Sequence, residues 1–182
     1  MHDRGFTLIE VFAALALLAA SALSVAQLIV STTRSVQAAR LQTATMALAA
    51  SRLEELRSLE WGFDAAGNTV TDSRTNLASE LPTSGGSGLT LSPAGALDDN
   101  TPGFVDFLDG GGGWVSAGPA APAAAVFVRR WSIEAPADGS PDSLVIQVLV
   151  RPIVEDVPHA GRRPLVGRAE GRLLTLRTRV AR

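Results

Sequence analysis

No cysteine and no lysine occur among the 182 residues of this chain. Without cysteine there is neither a disulfide framework nor a thiolate metal site, so the fold must be held by packing and strand pairing. Without lysine every base is arginine, which a GC-rich genome explains as well as a function would. Histidine is nearly missing too: His2 stands near the start and His159 beside Pro158. A Ser-His-Asp site would have to use His159, and no Gly-x-Ser-x-Gly turn accompanies it. The glycine runs at residues 85–88 and 110–113 lack the Lys-Ser/Thr of a phosphate loop and do not lie between a strand and a helix. Asp98, Asp99, Asn100, Asp106 and Asp109 carry oxygen donors suited to calcium, but their spacing fits no ligand loop. No catalytic residues, no metal and no cofactor are therefore expected. Net charge is only −2, which selects no partner by itself.

Glycine and proline are also missing from residues 6–61, and that absence has a positive meaning. It permits one long helix. Residues 11–30 are uncharged and apolar, about the length that crosses a ~30 Å hydrocarbon core at 1.5 Å per residue. Glu10 is the only charge between Arg4 and Arg34. A carboxylate costs about 2.5–3.5 kcal/mol if it reaches the bilayer centre, so it normally has a partner and a purpose. A plain membrane anchor leaves Glu10 unexplained. So does a secretory signal peptide cut near Ser24-Val25-Ala26. Ala13, Ala16, Ala20, Ser21 and Ser24 are small enough to let neighbouring helices approach closely. Arg4 argues for a cytoplasmic N-terminus and an exported C-terminus.

Gly5-Phe6-Thr7-Leu8-Ile9-Glu10, with Arg4 just before it, resembles the class III signal of type IV pilins and type II secretion pseudopilins. The resemblance covers residues 4–30. It implies cleavage between Gly5 and Phe6 by a prepilin peptidase, N-methylation of Phe6, and a role for Glu10 and Phe6 in assembly. It further implies an inner-membrane assembly platform and other pilins or pseudopilins as partners, met through the N-terminal helix. Two departures stand out. The proline often found in the second half of this segment is replaced by Ala26-Gln27-Leu28, and the frequent C-terminal cysteine pair is missing.

Beyond the apolar run, Val36, Ala39, Thr43, Met46, Ala50, Leu53 and Leu56 recur at three- and four-residue steps and predict an apolar stripe. Glu54 and Arg57 are placed as a solvent-side pair, and Gly62 is the expected stop. From Phe6 to Trp61 such a helix would be roughly 80 Å long. Residues 44–57 look like the helix end of minor pilins of the V type, and are similar also to the I-type minor pseudopilin.

Residues 62–125 carry seven acids against Arg74 alone, and residues 82–125 hold ten of the seventeen glycines. Apart from the short β-compatible run Thr69-Val70-Thr71, this stretch reads as a variable surface excursion. Three strands follow, at residues 125–134, 143–154 and 171–180. The first alternates Phe127, Trp131 and Ile133 on one side, with Arg129 sharing their parity. The second places Leu144, Ile146, Val148 and Val150 together, and the third Leu174, Leu176, Thr178 and Val180. The reading is an antiparallel meander, apolar toward the helix and arginine-bearing toward water. Arginines of residues 162–182 could meet nucleic-acid phosphates, but without interleaved aromatics they read better as strand-face charges.

The expected fold is α+β, a long N-terminal transmembrane and amphipathic helix packed on a small C-terminal antiparallel β-sheet. Its segments are a leader (1–5), a transmembrane and polymerisation helix (6–33), an amphipathic helix (34–61), a variable loop region (62–125) and the sheet (126–182). The expected function is that of a non-enzymatic minor pilin-type subunit of a type IV pilus. The expected location is single-pass in the inner membrane, with a periplasmic C-terminal domain, and then the filament. An I-type minor pseudopilin of a type II secretion system is the close alternative. A membrane-anchored binding domain that never polymerises is the alternative of a different class.

Overall fold

Helix α1 (Leu8–Ser58) runs unbroken, as the lack of glycine and proline permits. It ends a turn before the expected stop, because Trp61–Phe63 is drawn off as strand β1. The computed structural model describes residues 7–153 and 169–179. Two compact units divide at Arg40 and Leu41.

In the first unit the helix is largely apolar over residues 11–30, and Leu8, Phe12, Leu15, Leu18, Leu23 and Ile29 are all exposed. By length and composition it can cross a membrane. Its hydroxyl groups suit that setting. Ser21 and Ser24 donate to the carbonyls of Leu17 and Ala20 at 2.9 Å, and Thr32 and Thr33 donate to Leu28 and Ile29 at 2.8 and 2.9 Å. Bonded back onto their own helix, these groups bring no unsatisfied polarity into lipid.

The second unit is built on a five-stranded antiparallel sheet of order β6-β5-β7-β8-β9. Its members are β5 (Val105–Leu108), β6 (Trp114–Ser116), β7 (Phe127–Glu134), β8 (Ser143–Pro152) and β9 (Gly171–Thr178). Two small hairpins precede it, β1 with β2 (Thr69–Thr71) and β3 (Thr75–Asn76) with β4 (Thr83–Ser84). Ala49, Leu53 and Leu56 of α1 share one core with Phe127, Trp131 and Ile133 of β7 and with Leu144, Ile146, Val148 and Val150 of β8. This is the α+β fold the sequence predicts.

Three details differ from expectation. First, residues 62–125 supply two strands of the sheet, and Leu77, Leu89, Ala96 and Phe104 join the core. The excursion is packed in place: Trp131 N–H donates to Phe104 O at 3.0 Å, and Ser92 N–H donates to Ile133 O at 2.8 Å. Second, the sheet's outer face is not simply wet. Val105, Phe107 and Val128 are buried there with Ala125 and Ile153 against them. Asn100 reaches over the same face, accepting from Arg130 Nε at 3.0 Å and Nη2 at 2.7 Å.

Third, β9 is turned the other way round. The ladder pairs Leu173 with Val148 and Leu174 with Gln147, so odd-numbered residues of β9 face the helix. Leu174 and Leu176 are 62% and 59% exposed, while Leu173 packs on the core. The cause is a close approach: a Cβ on Gly171 would collide with the backbone of Thr45 and Met46. Only glycine lets β9 come this near to α1, and the pleat then fixes the parity of everything after it. The buried line of α1 shifts to match. Thr45, Ala49, Arg52, Leu53 and Leu56 are buried, whereas Ala50 of the predicted stripe is exposed. Val180, the last residue of the predicted alternation, lies outside the described residues.

Candidate functional site

Three places hold the polar groups that matter. The first is the start of α1. Gly5 and Phe6, the expected processing junction, lie outside the described residues, as does His159. Thr7 precedes the first helical residue and Glu10 lies in the first turn. Glu10 Oε2 accepts from Thr7 N–H at 2.8 Å and from Thr7 Oγ1 at 2.9 Å, and Glu10 N–H points back to Thr7 Oγ1 at 3.4 Å. This reciprocal Thr-x-x-Glu pattern is a capping box, which satisfies helix donors that would otherwise face the environment bare. It also holds the carboxylate beside the residue that follows Phe6. Thr7 was not singled out from the sequence, although a Thr three residues before a Glu at a helix start was there to be read.

A second place lies between α1 and the sheet. Asp106 of β5 is fully buried and pairs in register with Arg129 of β7. Its Oδ1 accepts from Arg129 Nε at 3.0 Å, and its Oδ2 accepts from Arg129 Nη2 at 2.7 Å and Arg52 Nη2 at 2.5 Å. Arg52 Nη1 donates to Leu77 O at 2.6 Å and lies 2.8 Å from Glu55 Oε2. The guanidinium carbon sits 4.6 Å from the Trp131 ring centre, a cation–π contact. Burial pulls the Arg52 pKa below its ordinary value; Asp106 opposes that shift and the Arg129 charge adds to it. Beside the cluster is a cleft of about 170 Å³ reached by Leu48, Arg52, Glu55 and Trp114. Within the cluster the charges of Arg52 and Arg129 are matched by Asp106 and Glu55. Its effect is on register, since moving α1 by one turn would separate Arg52 from Asp106 in a dry setting.

The third place is the C-terminal end of α1. Arg177 donates through Nη1 to Leu56 O at 3.3 Å and through Nη2 to Leu59 O at 2.7 Å. Arg179 donates to Gly62 O at 2.8 Å, Val70 O at 2.6 Å and Thr71 Oγ1 at 2.6 Å, and lies 3.4 Å over the Trp61 ring. A cation on the last carbonyls of a helix complements its dipole. The price in solvation shows in Arg177, whose pKa burial lowers, with the Arg57 charge adding to the effect. Read from the sequence as wet-face charges, these arginines instead fasten the helix end and the β1–β2 hairpin to the last strand.

Three of the five residues weighed as calcium donors have separate partners. Asn100 serves Arg130, Asp106 serves two arginines, and Asp109 Oδ1 accepts from Gly111 and Gly113 N–H at 2.8 Å. Among the described residues no three His, Cys, Asp or Glu side chains gather in a way that could hold a metal. No family model, curated protein or solved structure matches this chain.

Proposed function

We propose that this chain is a minor pilin-type subunit: a non-enzymatic inner-membrane precursor, cut between Gly5 and Phe6, that enters or primes a type IV pilus. The observation that carries the reading is one helix with two characters. Its first part is lipid-compatible behind a capped Glu10, and its last turns form the core of an α+β unit. A subunit drawn from a bilayer into a filament needs that combination: an apolar helix to leave lipid with, and a folded body that stays in water. Phe6 and Glu10 carry assembly, because a carboxylate held at low dielectric attracts an α-amino group far more strongly than it would in water. The I-type minor pseudopilin of a secretion system is the nearest alternative. The size of the packed region between α1 and β7 favours the pilus, where a bulky body is readily accommodated.

The test is Glu10→Ala, expressed in cells that make the filament. The variant should be inserted and processed normally, and its content in sheared filaments should fall at least tenfold by immunoblot. Incorporation at the wild-type level would reduce Glu10 to a helix cap and remove the assembly role assigned to it.

A further inference from the structure

Between Glu10 and Arg52 the only charged residues of α1 are Arg34 and Arg40, and no acid accompanies them. Both are exposed, and among the described residues neither has an ion-pair or hydrogen-bond partner. The neighbouring Thr32 and Thr33 hydroxyls are already committed to their own helix carbonyls. Two guanidinium groups thus stand where the apolar run ends, with nothing among the described residues to bind.

We infer that Arg34 and Arg40 form a collar that binds the headgroup phosphates of anionic phospholipids in the leaflet where α1 leaves the bilayer. The inference rests on reading residues 11–33 as a membrane span. Those 23 residues carry no charge and extend roughly 35 Å, slightly more than a ~30 Å hydrocarbon core. Glu10 and Arg34 are then about 36 Å apart along the axis, so both reach headgroup depth on opposite sides. Arg40 follows about 9 Å further out, near the limit of the headgroup layer, and its long stem can reach back toward the phosphates. At 3.6 residues per turn the two side chains point about 120° apart, so they meet different lipids. The planar fork of arginine matches two phosphate oxygens at once, which an isolated point charge does not. The collar sets the depth of the helix and selects anionic lipid around it.

The absence of cysteine makes the test direct. The full chain, carrying Ser31→Cys or Ser35→Cys, is reconstituted in vesicles of mixed phosphatidylcholine and phosphatidylglycerol and treated with a water-soluble maleimide. Position 35 should label and position 31 should be protected. With Arg34→Gln and Arg40→Gln together, the labelling boundary should move by about one turn. Phosphatidylglycerol retained on the purified protein should be enriched several-fold for wild type, less for the double lysine variant, which keeps the charge without the fork, and fall to the bulk ratio for the double glutamine variant. An unchanged boundary and an unchanged lipid ratio would overturn the inference. So would inorganic phosphate binding to wild type in a neutral detergent without any lipid enrichment, which would point to free phosphate as the ligand. Release of the protein from vesicles by alkaline carbonate would overturn the span itself, whereas retention without lipid selectivity overturns the collar alone.

Discussion

With both oxygens of Asp106 taken by Arg52 and Arg129, deleting this carboxylate leaves two buried cations without their shared counter-charge. Removing one partner of a buried pair costs about 3–5 kcal/mol, a large part of the 5–15 kcal/mol that holds a typical domain. Asp106→Ala should therefore lower the urea midpoint of the detergent-solubilised chain drastically, followed by tryptophan near-UV circular dichroism. A loss below about 1 kcal/mol would show that the cluster is not dry. Asp72 makes a gentler case. Burial alone would raise its pKa, but hydrogen bonds from Thr75 Oγ1 and from the N–H groups of Arg74 and Thr75 outweigh that and hold it below the ordinary carboxylate range. A carboxyl lowered in the folded state stabilises fully above its unfolded pKa of about 3.9 and loses that contribution as pH falls through the folded value. The stability gap between wild type and Asp72→Asn should be widest above pH ~5 and close in stronger acid. A gap that stays constant with pH would contradict the assignment. Half of the Asp106 cluster was legible in the sequence. Arg129 shares the parity of Phe127, Trp131 and Ile133, which places it on the buried face. Its partner was hidden because Asp106 lies in a four-residue strand inside a glycine-rich stretch, too short for periodicity to register.

Among the elements, α1, β7 and β8 were readable because each carries a long unbroken pattern. The phase of β9 was not. Leucines occupy both of its parities, at Leu173 on one and at Leu174 and Leu176 on the other, so alternation alone leaves two registers open. The deciding residue is Gly171, whose missing side chain admits the backbone of Thr45, a contact across more than a hundred residues that no local pattern encodes. The arginines followed the same inversion, and brought Arg177 and Arg179 onto the end of α1 and the β1–β2 hairpin. This gives the strand contrasting tolerances. Leu174→Asn with Leu176→Asn should change stability by no more than about 0.5 kcal/mol, as exposed positions do. Leu53→Asp, which places a carboxylate in the core, should unfold the unit. Thermal scans of the two variants check the pair. A double asparagine variant that melts far below wild type would restore the opposite register.

For the molecule as a whole, the fold follows from patterned residues, and the proposed function from a helix of two characters together with the short junction before it. The packed body, without cysteine, is secured by a buried ion cluster and by arginine clamps at the helix end. The reading as a pilin-type subunit requires that the leader be removed at one peptide bond. Mass spectrometry of the N-terminal peptide of the mature protein, isolated from its own cells, measures that directly. The account predicts a peptide that begins at Phe6 and carries one added methyl group on its amine. A peptide beginning at Gln27 would identify an ordinary signal sequence, and a chain that retains Met1 to Gly5 would identify a simple membrane anchor; either result contradicts the proposed function.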